Sequence, residues 1–200
     1  SIRNIKEETT MKKFVCGYGM QGGASRTDCT QAIGEMSYGK ELKEAIVKPG
    51  RWQIGINCFG ECLPYHENKM TLNYEKLDEW GLPTITFDCE YKENEKKMRK
   101  DAKEQAVAML KASGFKDVKG YEEECFPGNG IHEMGTARMG RDPRTSVLNG
   151  NNQLHNVPNV FVTDGACMTS SASQNPSLTY IAMTARAANY TIQQFKNVRS

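Results

Sequence analysis

The stretch that most constrains this chain is residues 131–190, which opens on IHEMGTARMG and closes on NVFVTDGACMTSSASQNPSLTYIAMTARAANY. Val160, Phe161 and Val162 make a short β-branched and aromatic run, the composition of a buried strand. Asp164-Gly165 ends that run where the chain must turn sharply. Asn175 precedes Pro176, the pairing expected of an N-cap followed by the first helical residue. Leu178, Ile181, Ala185, Ala188, Ile192 and Phe195 recur at steps of three and four, which predicts one apolar stripe on a terminal helix. A strand, a glycine turn, a polar loop and a buried helix start would bring free backbone N–H groups and a positive dipole end to one place.

The preceding residues supply a different layer. KKFVC reads as a short strand leading into GYGMQGG, which contains Gly17-x-Gly19-x-x-Gly22. That spacing matches a dinucleotide fingerprint, but Ala24, Ser25, Arg26, Thr27 and Asp28 follow it with no periodic helix to meet a pyrophosphate. The run is better read as a glycine-rich strand or hairpin where backbone approaches another group closely. Residues 36–48 predict a helix with Leu42, Ala45 and Ile46 inward, stopped by Pro49-Gly50. Residues 51–64 predict a strand in which Trp52, Ile54 and Ile56 alternate with polar or small residues, and 70–72 and 84–87 predict two more. Residues 92–113 predict a helix with Met98, Ala102, Ala106, Met109 and Leu110 on one face and Gly114 just past its end. Residues 115–125 predict a further strand. Strands and helices without regular βαβ alternation indicate an α+β class, a mostly antiparallel sheet packed with helices.

Three pieces in order carry a resemblance: H-x-x-G-T-x-R-M-G from His132, Asp164-Gly165 after a strand, and Asn175-Pro176-Ser177-Leu178-Thr179. Together they resemble the C-terminal portion of glucose-methanol-choline (GMC) oxidoreductases, flavoenzymes that oxidise alcohols and sugars. FGECLPYHENKMTLN and DEWGLPTITF resemble the substrate-domain sheet of bacterial members, and the two motifs look closest to the pyranose-oxidising branch. The resemblance implies FAD as cofactor and a sugar or other secondary alcohol as substrate. It implies His132 as base and Asn175 as its partner, with Asp164, Gly165, Pro176, Ser177, Leu178 and Thr179 against the flavin. It also implies a partial substrate domain over residues 1–130, and a catalytic loop with a C-terminal FAD-domain segment over 131–200. The roles make chemical sense. A neutral imidazole can take a hydroxyl proton and then hold the alkoxide, and an amide can aim the oxygen without titrating.

The family's adenine-binding fingerprint is not replaced here, so an N-terminal FAD-binding region is the partner the resemblance calls for. The chain alone is expected to be inactive, to bind FAD weakly, and to self-associate through its uncovered flank. An alternative is a non-catalytic subunit, or a truncated module, that partners a separate flavin-binding chain. The 26 basic and 24 acidic residues leave a net charge of +2, which argues against nucleic-acid binding by bulk electrostatics. No apolar run approaches a membrane span. SIRNIKEETTMKK lacks the apolar core of a signal peptide, and the compartment stays open between bacterial cytoplasm and periplasm. Seven cysteines imply no complete disulfide framework; Cys58 and Cys62 read as small strand side chains in preference to metal or cluster ligands. His66 and His155 read as surface or structural histidines.

Overall fold

The computed structural model describes residues 14–26, 39–47, 50–122 and 126–199. Its elements are β1 (Tyr18–Arg26), α1 (Lys40–Val47), β2 (Trp52–Gly60), β3 (Lys69–Leu77), β4 (Pro83–Asp88), α2 (Glu93–Ala112) and α3 (Ser177–Arg199), with a short 3-10 turn at Gly165–Cys167. The class is mixed α+β, and its strands pair antiparallel as two separate ribbons, β1 with β2 and β3 with β4.

In the first ribbon Tyr18 lies opposite Gly60 and Arg26 opposite Trp52. Alternation turns Ile54 and Ile56 of β2 partly inward. Trp52 stays exposed, and the Arg26 guanidinium sits 5.1 Å from its ring centre. Helix α2 lies against this ribbon, and Phe14, Tyr18, Met98 and Ala102 close a small core between them. Tyr18 donates its hydroxyl to Asp101 at 2.7 Å, tying β1 to α2 through two buried groups. The helix ends as the sequence requires. Gly114 takes φ +83° just beyond it, while Phe115 N donates to Leu110 O and Gly114 N to Lys111 O, satisfying two end carbonyls.

The second ribbon is a hairpin whose turn is built by Asp78, which accepts from Trp80 N and Leu82 N at 2.9 and 2.8 Å. Met70 faces Phe87 and Leu72 faces Ile85, so one side of the hairpin is apolar, while Lys69–Asp88 and Thr71–Thr86 line the other. All four apolar side chains are exposed.

Several expectations need correction. Residues 14–16 bend and do not extend: Cys16 takes φ +68°, which turns Phe14 into the core, and Lys12 and Lys13 lie outside the described residues. Residues 115–122 form no strand, since the chain turns through Asp117 at φ +56°; Cys125 lies outside the described residues. The strand read at residues 160–162 is reduced to a single bridge, Phe161 to Gln153, because composition supplies strand propensity but a ladder needs a neighbour. The helix read over residues 36–48 begins at Lys40, with 36–38 and 48 outside the described residues. On α3 the apolar stripe faces outward, with Leu178, Ile181, Ile192 and Phe195 each more than half exposed. The helix instead buries Ala187 and half-buries Tyr180, Met183 and Tyr190.

Candidate functional site

Three segments distant in sequence meet at Gly165. A Cβ there would lie 2.9 Å from the Tyr180 hydroxyl, 3.0 Å from Glu133 O and 3.1 Å from Met134 Sδ. The loop that carries His132, the glycine turn and the first turns of α3 are therefore packed on a point that only glycine fills. The loop is pinned to the turn by backbone pairing: Ala137 N donates to Ala166 O and Met139 N to Cys167 O, both at 2.9 Å. Gly135, at φ +87°, lies against Met168 O and Thr169 O. Tyr180, from α3, directs its hydroxyl at Met134 Sδ; burial first, then the nearby Asp164 charge, pushes its pKa up.

Asp164 accepts from Ala166 N at 3.0 Å, the side-chain cap of the 3-10 turn, and is itself exposed. His132 is half-buried and Asn175 exposed. Both lie on segments that converge here, and no hydrogen bond joins them among the described residues.

The start of α3 differs by one residue from the sequence expectation. Tyr180 N is the first to bond back, to Pro176 O at 3.1 Å, and the helix proper begins at Ser177. Pro176 thus occupies the cap position, and Asn175 stands outside the helix, with no hydrogen bond from its amide to the helix start among the described residues. The N–H groups of Ser177, Leu178 and Thr179 have no intrahelical acceptor. These three residues are exposed, whereas Pro176 is buried, which corrects the expectation of a buried helix start.

Behind the site lies a polar anchor that motif reading missed. Asn152 is fully buried at φ +63°; its amide donates to Val162 O at 3.0 Å and accepts from Arg186 Nη2 at 2.8 Å. This fixes the chain entering Asp164 to α3. Two signals were available: the turn-forming Asn149-Gly150-Asn151-Asn152, and Arg186 as the single charged residue between 177 and 195. His155 is half-buried and bonded to Ser146 Oγ at 3.1 Å, and His66 is exposed. Cys58 lies in β2 and Cys62 beyond its end, and no group of three or more metal-ligating side chains gathers among the described residues. No helix of the described residues is long and apolar enough to cross a membrane.

A sequence model of the GMC oxidoreductase family matches residues 64–184, which takes in both the hairpin and the three converging segments. The chain belongs to this family. Among its relatives, the 2-methyl-1,2-propanediol dehydrogenase of Mycolicibacterium austroafricanum is 30% identical over 94% of this chain and 35% of its own length. The fructose dehydrogenase large subunit of Gluconobacter japonicus is 27% identical over 98% of this chain and 36% of its own. The pyranose 2-oxidase of Tricholoma matsutake is 25% identical over 70% of this chain and 26% of its own. This GMC oxidoreductase chain thus spans only about a third of the first two relatives it matches. Enzymes of this family are FAD-dependent oxidoreductases of alcohols and sugars. The residues present fit part of such a cofactor: an exposed helix start whose first three N–H groups have no backbone acceptor among the described residues.

Proposed function

We propose that this chain is the C-terminal part of a GMC-type FAD-dependent oxidoreductase that oxidises a CH–OH group of a sugar or other secondary alcohol. The observation that carries the reading is the convergence at Gly165 of the His132 loop, the Asp164 turn and the α3 start. FAD, when bound, supplies the hydride acceptor. His132 takes the substrate hydroxyl proton on a ring nitrogen and then holds the oxygen by a hydrogen bond. Asn175, free of capping duty, aims the same oxygen through its amide. Ser177, Leu178 and Thr179 offer backbone N–H groups to the flavin edge that becomes negative, as an oxyanion hole does. Asp164 and Gly165 lie toward the ribityl or pyrophosphate part, and Pro176 contributes shape without an N–H. The pieces that grip adenine belong to a separate N-terminal region.

The test uses the intact polypeptide that carries this chain. It should purify with stoichiometric FAD, and its visible absorbance should bleach anaerobically with D-glucose, D-fructose or 2-propanol. Absence of flavin, or a flavin that none of these donors reduces, would contradict the reading. The alternative, a subunit capping a separate flavin-binding chain, is favoured by the same exposed face of α3. It predicts that the reading frame upstream of Ser1 encodes no strand–GxGxxG–helix unit.

A further inference from the structure

The glycine run of β1 is left without a role by the chemistry above, yet it touches the site. A Cβ at Gly19 would lie 2.4 Å from Ser173 Oγ and 2.5 Å from Ser173 Cβ. Two residues along the same strand face, Gln21 donates its amide to Ser173 O at 2.7 Å. Ser173 lies two residues before Asn175, and among the described residues no backbone–backbone hydrogen bond involves residues 169–175. We infer that β1 is the platform that positions Asn175, with Gly19 and Gln21 acting through Ser173; this rests on the role given to Asn175 above.

The platform is suited to the task because it is held elsewhere. Nine residues of β1 pair with β2, and Tyr18, adjacent to Gly19, is buried and bonded to Asp101 on α2. Gly19 and Gly22 serve space, and no phosphate is needed to explain them: a Cβ at Gly22 would meet Gly55 O at 2.8 Å, whereas Gly23 would accept one with nothing within 4 Å. An added methyl at position 19 could displace the Ser173 hydroxyl by rotation, but it could not escape Ser173 Cβ, which moves only with the backbone. The loop, and Asn175 with it, must shift. A shift of about 1 Å in a group that aims a reacting atom costs on the order of 10²-fold in rate.

The experiment compares Gly19→Ala, Gly23→Ala and Gly19→Ala/Ser173→Gly in the intact polypeptide. Two readouts are taken: amide hydrogen exchange over residues 169–176, and anaerobic flavin reduction by whichever of the three donors bleaches the wild type fastest. Gly19→Ala should raise exchange in that loop and slow flavin reduction about 10- to 100-fold at saturating donor, with flavin content unchanged. Gly23→Ala should change neither. Removing the Ser173 side chain should restore both in the double variant. The inference is overturned if Gly19→Ala leaves exchange and rate untouched, or if Ser173→Gly fails to rescue. It is also overturned if exchange rises while reduction at saturating donor stays at the wild-type rate. A wild type that no donor reduces condemns the functional reading instead, and exchange alone then decides whether β1 holds the loop.

Discussion

Glu95 shows how single residues hold the first half of the chain. Its side chain is 4% exposed, and its carboxylate accepts from Leu63 N at 3.1 Å, Lys92 N at 3.0 Å, Tyr65 hydroxyl at 3.0 Å and Asn94 amide at 3.2 Å. Burial raises its pKa, but the hydrogen bonds from Leu63, Asn94 and Tyr65 outweigh it and hold the carboxyl below its ordinary 4.5. The same contact, after burial, pushes the Tyr65 hydroxyl up to about 12. A carboxyl depressed in the folded state stabilises the protein fully above its unfolded value of about 4.5, and that contribution disappears as pH falls through the lower folded value. Glu95→Gln should therefore flatten the dependence of stability on pH below 4.5. At neutral pH it should cost about 1–2 kcal/mol, because an NH2 replaces one carboxylate oxygen and the part-buried Lys92 N–H and Tyr65 hydroxyl lose their acceptor. Urea unfolding at several pH values measures both; an unchanged slope below 4.5 would refute the assignment.

At the scale of elements, the terminal helix is the informative case. Its existence was legible, because an apolar repeat at three and four steps over about five turns has few other readings. Which face lies inward was not, because periodicity reports a stripe and not its neighbour. The face that meets Gly165 carries Tyr180, Met183 and Ala187, and the clearer stripe of Leu178, Ile181, Ile192 and Phe195 looks outward. A helix apolar on two sides is built to be covered on both. The hairpin repeats the lesson: alternation located Ile85 and Phe87 on one face, while a two-stranded ribbon by itself buries neither. Expressed alone, the chain should therefore self-associate with rising concentration in sedimentation velocity. Ile181→Lys with Phe195→Lys should reduce that association, since neither side chain contributes to the described core. A strictly monomeric wild type would count against α3 needing a cover.

Across the whole molecule, two layers separated in sequence are joined where β1 touches the loop before α3. The motifs marked the residues of the second layer, since H-x-x-G-T-x-R-M-G and N-P-S-L-T are the stretches that carry the family resemblance. They could not show the contacts that hold it. Asn152, Arg186, Gly19 and Ser173 act through distances across more than thirty residues, which no local pattern encodes. The proposed division into residues 1–130 and 131–200 assigns the proton-handling groups entirely to the second part. Those groups stand or fall with His132. The measurement that tests this most directly is anaerobic, donor-dependent flavin bleaching by the intact polypeptide, wild type beside His132→Ala. The account predicts equal flavin content in both and bleaching slower in the variant by on the order of 10²–10⁴-fold. If the two bleach at the same rate, His132 is a structural residue and the proton goes elsewhere.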